Sequence, residues 1–201
     1  NLGTVSGGED TGGIVGCIDN DDNSEGGISV YYCTNSGTVT AGRRALGGIA
    51  GYVESGSNNS KSVTFSKCYN TGTVSGTGTG SGDRDAAGGI VGEGKYSLII
   101  EYCANKGTVN ATAGFHHIGG LVGYFGENSS GYDNYVYIKE SYNSGTVEVT
   151  QSGANSTYVG GIAGHLEDSN TSSWNVHIKN CYNRGSVLAR TSNETYHAGG
   201  I

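Results

Sequence analysis

The chain has 201 residues, of which 38 are glycine, none is proline and only 14% are charged. This composition favours stacked strands joined by turns of Gly, Asn and Ser over a helical fold. The formal net charge of -7 argues against nucleic acid or an anionic membrane as a partner, because both need clustered Lys and Arg.

One motif recurs six times along the chain. An Asn is followed two residues later by Gly and then by Thr-Val or Ser-Val, and neighbouring copies lie 34 to 40 residues apart. The six residues are Asn1, Asn35, Asn70, Asn105, Asn143 and Asn183. A period of this length predicts a stacked tandem repeat rather than a globular domain. We therefore interpret residues 1–201 as a single solenoid of about five complete repeats and a partial one.

The sequence carries no pattern of a membrane span or a signal peptide. No run of about 18 apolar residues is present, and no charged start precedes an apolar stretch. Because the chain starts at Asn1 and ends at Ile201, both inside a repeat, we expect it to be an excerpt from a longer array.

Three strands are expected in each repeat. The first follows the Asn, and alternation points one valine column inward and the preceding Thr or Ser to solvent. The valines are Val5, Val39, Val74, Val109, Val147 and Val187. The second strand opens with a glycine pair and Ile or Leu, as in Gly47-Gly48-Ile49, and its glycine and aliphatic faces predict a cover on both sides. The third has two inward columns, represented by Val63 and Phe65.

These patterns predict an all-β parallel β-solenoid with one coil per repeat, right-handed by the usual crossover rule. Two rungs per repeat remain an open alternative, because a repeat of this length is generous for a single coil. No coil would fold alone, since its apolar residues are buried only when coils above and below exclude water.

Two columns of polar or reactive residues are assigned structural roles. The Asn column is expected to form a hydrogen-bonded ladder of buried amides along the stacking axis, from Asn35 to Asn183. The cysteine column points inward and is expected to hold buried thiols, at Cys33, Cys68, Cys103 and Cys181, with Ser141 in the remaining repeat. A spacing of about 4.8 Å between coils does not exclude a disulfide by distance alone. Cys17 is expected to face outward.

The repeat resembles a known family. Gly88-Gly89-Ile90-Val91-Gly92, Gly119-Gly120-Leu121-Val122-Gly123 and Cys68-Tyr69-Asn70-Thr71-Gly72 are similar to the Glug repeat of large bacterial surface proteins, including relatives of IgA-cleaving metallopeptidases. The resemblance covers essentially the whole chain and implies an extracellular or cell-surface module attached to an adhesin or peptidase. It implies no substrate, and the peptidases' His-Glu-x-x-His motif is absent.

Metal binding is the first chemical hypothesis. Oxygen-bearing residues cluster at Asp19, Asp21, Asn23 and Glu25, a composition that calcium favours, although a solvated loop explains it as well and the spacing does not match an EF-hand. Apart from calcium, no cofactor is expected. We predict no enzyme activity, because the histidines lack ligand spacing and no carboxylate column resembles that of a polysaccharide hydrolase.

Two further sets of residues lie in segments read as variable loops. Aromatic residues that could contact a ligand are Tyr52, Tyr124, Tyr132, Tyr135 and Trp174. Asn-x-Ser/Thr sequons, which a glycosylating host would modify, are Asn58, Asn110, Asn128, Asn155, Asn170 and Asn193. Richness in Asn, Ser and Thr accounts for the sequons without glycosylation.

Two functional classes are compatible with these features. The first is a noncatalytic adhesin or stalk module that binds a host glycan or protein through its variable loops. The second is a shaft segment of an extracellular filament or sheath that binds copies of itself. Ice binding is a third possibility, but it uses flat paired Thr rows, whereas this chain has a single Thr column.

Overall fold

A computed structural model describes residues 1–20, 26–56, 61–78, 85–112, 114–126, 135–151, 156–167, 175–191 and 196–201. In this part of the chain the fold is all-β, with 27 strands in five parallel sheets and no α-helix. The sheets are stacked as a β-solenoid, so the predicted fold class is confirmed. None of these residues belongs to a helix with the length and hydropathy of a membrane span.

The five sheets are numbered I to V in the order in which one coil passes through them. Sheet I contains β5 (Thr34–Asn35), β10 (Tyr69–Asn70), β15 (Ala104–Asn105), β20 (Tyr142–Asn143) and β25 (Tyr182–Asn183). Sheet II contains β1 (Val5–Gly7), β6 (Val39–Ala41), β11 (Val74–Gly76), β16 (Val109–Ala111), β21 (Val147–Gln151) and β26 (Val187–Thr191). Sheet III contains β2 (Thr11–Gly12), β7 (Ala45–Gly47), β12 (Ala86–Gly88), β17 (His117–Gly119), β22 (Thr157–Gly160) and β27 (Tyr196–Gly199).

The remaining two sheets complete the coil. Sheet IV contains β3 (Val15–Asp19), β8 (Ala50–Glu54), β13 (Val91–Lys95), β18 (Val122–Phe125) and β23 (Ala163–Leu166). Sheet V contains β4 (Ile28–Tyr31), β9 (Val63–Ser66), β14 (Ser97–Glu101), β19 (Tyr135–Lys139) and β24 (Asn175–Lys179).

Each repeat forms one coil. Asn70 pairs in register with Asn35 and Asn105, so equivalent residues of successive repeats are neighbours in the same sheet. The alternative of two rungs per repeat is therefore wrong. The expected three strands per repeat are also corrected to five, because the glycine pair forms a corner between sheets III and IV, and a left-handed residue such as Lys67 separates sheet V from sheet I. Thus β7 ends at Gly47 and β8 begins at Ala50.

Two hydrophobic cores run side by side along the solenoid. The first is enclosed by sheets IV and V and includes Phe65 and Ile100, while the second is enclosed by sheets II and III and includes Val74 and Ile118. All four side chains are fully buried. Burying each of them contributes roughly 1.5–3 kcal/mol, and the neighbouring coils make that burial possible.

A waist separates the two cores. A Cβ atom on Gly89, the second glycine of its pair, would overlap both the Gly120 carbonyl oxygen and the side chain of Asn105. The same contact joins Gly48 to Asn70. The Gly-Gly corner and the Asn corner therefore meet across the middle of the coil, and only glycine leaves room for that approach.

The predicted Asn ladder is confirmed. Each amide nitrogen donates to the amide oxygen of the next coil at 2.8 Å, in an unbroken series from Asn1 to Asn183. The other amide hydrogen satisfies the carbonyl of the glycine two residues later, as in the 2.9 Å bond from Asn105 to Gly107. The buried amides thus satisfy one another along the stacking axis.

The cysteine column also lies inside, as predicted. Cys68 and Cys103 are buried, Cys33 and Cys181 are partly buried, and all are free thiols. The hydrogen bond with Cys68 raises the pKa of Cys103, and burial raises it further. Cys17 is exposed, as its position in the strand predicted.

Candidate functional site

Exposed aromatic side chains gather on one side of the solenoid, the outer surface of sheets V and I. Six tyrosines on this side expose at least 36% of their surface, namely Tyr31, Tyr32, Tyr69, Tyr102, Tyr137 and Tyr182. We call the outer surface of these two sheets, with the turns that join them and the residue that follows the repeated Asn in each coil, the tyrosine face. The other large exposed hydrophobic residues of the described chain lie in its first and last coils: Leu2, Ile14, Val176 and Ile201.

The turn from sheet V to sheet I aims one side chain of each coil outward. It contains a residue with φ between 48° and 56° in all five coils, at Tyr32, Lys67, Tyr102, Glu140 and Asn180. This left-handed conformation costs roughly 1–2 kcal/mol for a residue other than glycine. Although glycine is abundant in this chain, it never occupies this position, and four of the five residues there, Tyr32, Lys67, Tyr102 and Glu140, are larger than the asparagine that this conformation tolerates. Because strained backbone is concentrated at functional sites, this pattern favours a functional role for the side chains of the turn.

Contacts between neighbouring coils hold the rings of this face in place. The Nζ of Lys67 donates to the hydroxyl of Tyr32 at 2.8 Å and lies 4.9 Å from the centre of its ring. This hydrogen bond raises the pKa of Lys67. Tyr142 stacks on Tyr182, in the next coil, with parallel rings 5.0 Å apart. The tyrosine face therefore presents rings that are already ordered.

A second cluster of functional side chains fills the groove between the outer faces of sheets III and IV. His165 stacks on Tyr158 at 4.1 Å and lies 5.0 Å from His117, which is 4.8 Å from Tyr124. Burial lowers the pKa of His165. Within the described segments, no group of three His, Cys, Asp or Glu side chains could hold a metal ion. We call this cluster the imidazole stack, and its close contacts fill the groove.

The other end of this groove is charged. Arg44 pairs with Asp10 at 3.0 Å, and its guanidinium lies 4.6 Å from the ring centre of Tyr52. Its backbone N–H donates to the carboxylate of Asp85 at 2.7 Å. Burial raises the pKa of both Asp10 and Asp85. These bonds tie three successive coils together.

The aromatic residues predicted to lie in a variable loop have different locations. Tyr52 and Tyr124 lie in strands β8 and β18 and are 5% and 1% exposed, so their assignment to a loop is wrong. Each hydroxyl is bonded to a carboxylate, that of Tyr52 to Glu54 and that of Tyr124 to Glu167. Tyr135 begins β19 and is half-buried.

Several other predicted residues lie outside the described part of the chain. These are Tyr132 and Trp174, the calcium candidates Asp21, Asn23 and Glu25, and the sequons Asn58, Asn128, Asn155, Asn170 and Asn193. Asp19, the remaining calcium candidate, is exposed at the end of β3. Asn110 lies in the middle of β16 and is half-buried, so its assignment to a loop is wrong.

Comparison with protein-family models, curated proteins and solved structures found no match. The assignment of the tyrosine face as a candidate site is therefore based on its geometry. The face was not predicted from the sequence, because the tyrosines occupy different columns in different repeats. Tyr31 lies in the last outward position of sheet V, Tyr102 in the turn and Tyr69 in sheet I. The signal that could have found them is the clustering of tyrosine within the six residues before a repeated Asn.

Proposed function

We propose that this solenoid is a noncatalytic binding module of an extracellular surface protein, an adhesin or stalk, and that it binds a host glycan or protein on the tyrosine face. The observation that carries the proposal is the gathering of six exposed tyrosines on one side of the stacked coils. Tyrosine is enriched at recognition surfaces, because it offers a large amphipathic contact area and loses little conformational entropy on binding.

The regularity of the solenoid supports a repeating or elongated ligand. Coils in register lie about 4.8 Å apart, so tyrosines that share a column in neighbouring coils, as Tyr142 and Tyr182 do, have a short, fixed spacing. Ring contacts such as that between Tyr142 and Tyr182 order part of the array before binding. Pre-ordered side chains reduce the entropy lost when a ligand is bound.

The extracellular location is part of the same proposal and is supported by the resemblance to Glug repeats. The use of many Asn, Ser, Thr and Gly residues in turns is compatible with a secreted repeat protein.

A shaft segment of a filament is the second candidate. It is favoured by the Asn ladder, which runs without interruption through the described coils and uses the same bond at every step. Such a ladder suits a structural rod as well as a binding module. In this role the tyrosines would contact other copies of the chain.

An array of glycans and matrix proteins tests the first candidate. The double variant Tyr32→Asn/Tyr102→Asn removes two exposed rings, and asparagine tolerates their left-handed backbone. Tyr96→Asn is the matched control, because Tyr96 has φ 63° but lies between sheets IV and V. We expect the double variant to lose binding about tenfold or more, equivalent to about 1.4 kcal/mol, while the control binds as the wild type does. Equal binding by all three proteins would refute the site, and absence of any ligand would favour the shaft.

A further inference from the structure

The charge of the tyrosine face is opposite to that of the whole protein. The chain has 11 Lys and Arg against 18 Asp and Glu. Between the first residue of each sheet V strand and the residue after the repeated Asn, however, there are five basic and two acidic side chains, a formal charge of +3. The basic residues are Lys67, Lys106, Lys139, Lys179 and Arg184, and the acidic ones are Glu101 and Glu140.

Most of this positive charge has no acidic partner within the described segments. Lys139 pairs with Glu101 at 2.9 Å, which lowers the pKa of Glu101 and raises that of Lys139. Lys106, Lys179 and Arg184 are exposed and have no acidic partner among the described residues. These three charges are therefore open to an external anion.

One pair of neighbouring coils on the tyrosine face places like charges together. Other neighbouring coils place opposite charges together, as in the pairs of Arg43 with Glu9, Arg190 with Glu148 and, on this face, Lys139 with Glu101. On the tyrosine face, Lys139 and Lys179 are direct neighbours in register. Like charges opposite each other in a sheet are destabilising. A bound anion between these coils would remove that repulsion.

We propose that the ligand of the tyrosine face is an acidic polysaccharide, a chain of sugar rings that carries carboxylate or sulfate groups. This inference rests on the proposed binding function and specifies its ligand. Aromatic and basic side chains alternate in the first three turns, where Lys67 lies between Tyr32 and Tyr102, and the last two turns hold Glu140 and Asn180. The apolar C–H face of a sugar ring packs on tyrosine, while Lys and Arg bind the acidic groups.

The spacing and charge both match such a chain. The distance of about 4.8 Å between coils is comparable to the length of one sugar unit, so an extended polysaccharide along the axis meets one coil per unit. A nucleic acid fits less well. It carries a charge on every nucleotide and needs many phosphate contacts, whereas this face has few cations and the rest of the surface is acidic.

Isothermal titration calorimetry with defined probes tests the inference. The probes are hyaluronan, which has carboxylates, chondroitin sulfate, which has both acidic groups, neutral dextran and single-stranded DNA. The variant Lys106→Gln/Arg184→Gln removes two unpaired charges of the face. The control Arg43→Gln/Arg190→Gln changes the net charge equally, and its arginine side chains are 63% and 61% exposed. Far-UV circular dichroism checks that both variants are folded.

We expect an acidic polysaccharide to bind the wild type with an affinity that falls as salt rises. The Lys106/Arg184 variant should bind at least tenfold more weakly, and the control within twofold of the wild type. Comparison of the two acidic polysaccharides distinguishes carboxylate from sulfate as the recognised group. Binding of dextran with no effect of Lys106 and Arg184 would overturn the inference and leave the proposed binding function intact. Tighter binding of DNA, or an equal loss in both double variants, would overturn the inference. If neither these polysaccharides nor the glycans and matrix proteins of the array bind, both the inference and the proposed binding function are refuted.

Discussion

Replacement of Asn105 by Asp should destabilise the solenoid strongly, because it preserves the shape of the side chain and removes its amide hydrogens. The Nδ2 of Asn105 donates to the Gly107 carbonyl at 2.9 Å and to the Asn143 Oδ1 at 2.8 Å. Its Oδ1 accepts a bond of 2.8 Å from Asn70. The residue is fully buried at the waist of the coil, where water does not replace the lost donors.

The size of the effect follows from these bonds. A buried acceptor left without a donor costs about 1–3 kcal/mol, so the two acceptors together give a loss of about 2–6 kcal/mol. Burial should also raise the pKa of the introduced carboxyl above the ordinary value of about 3.9. The folded state then holds more protons than the unfolded state between the two pKa values. The free energy of unfolding of the variant should therefore fall as pH rises through that window.

Urea unfolding followed by circular dichroism, at pH 7 and pH 4, measures the loss. Asn1→Asp is the matched control, because Asn1 makes the same bonds to Gly3 and Asn35 but is exposed, so that water can replace them. We expect this control to lose less than about 1 kcal/mol. If Asn105→Asp cost no more than Asn1→Asp at pH 7, the buried ladder would not be a source of stability and the reasoning would be refuted.

Three further outcomes are expected. In thermal denaturation, Gly89→Ala should reduce the free energy of unfolding by about 1–3 kcal/mol, because the added Cβ would overlap Gly120 and Asn105. Gly8→Ala should change it by less than about 0.5 kcal/mol, because the added Cβ would have nothing within 4 Å. Iodoacetamide should label exposed Cys17 at pH 8 more slowly than a peptide cysteine, because burial and neighbouring acids raise its pKa; a rate equal to the peptide's would contradict this. The lowered pKa of His165 means that its contribution to stability is complete above about 6.5 and declines below it, so His165→Gln should reduce the loss of stability between pH 7 and pH 5, measured by urea unfolding; an unchanged loss would count against it.

The inner columns of the solenoid could be predicted from the sequence, because each occupies one position in every repeat. The Asn and Val columns predicted the register correctly, because Asn70 and Val74 pair with the equivalent residues of the neighbouring coils. The expected burial of both faces of the strand after the glycine pair is confirmed as well, since β8 is buried from Ala50 to Val53.

The waist and the groove could not be predicted in the same way. Alternation assigns each side chain to one side of a strand, but it does not say what lies on that side. Tyr124 was assigned to a variable loop, yet it lies in β18, where His117 from sheet III and Glu167 from the next coil cover it. The sharp corner at each glycine pair brings sheet III against sheet IV, and its position depends on the contact with Asn across the coil.

The tyrosine face was also not predicted from the sequence, for a different reason. Tyr31, Tyr69 and Tyr102 share no column, so a search by column does not group them. They come together because sheet V, the left-handed turn and sheet I form one continuous outer surface. The positive charge of this face was not predicted either, because the net charge of the whole chain is negative and conceals the local excess of Lys and Arg.

The most direct test of the account is to find which tyrosines a bound ligand protects. Tetranitromethane modification, mapped by mass spectrometry with and without the tightest-binding polysaccharide, reports each tyrosine separately. The account predicts protection of Tyr32, Tyr102 and Tyr182, all exposed on one face, and no change at Tyr158 in the imidazole stack. Protection of Tyr158, or of Tyr132 alone, would place the ligand elsewhere and contradict the account.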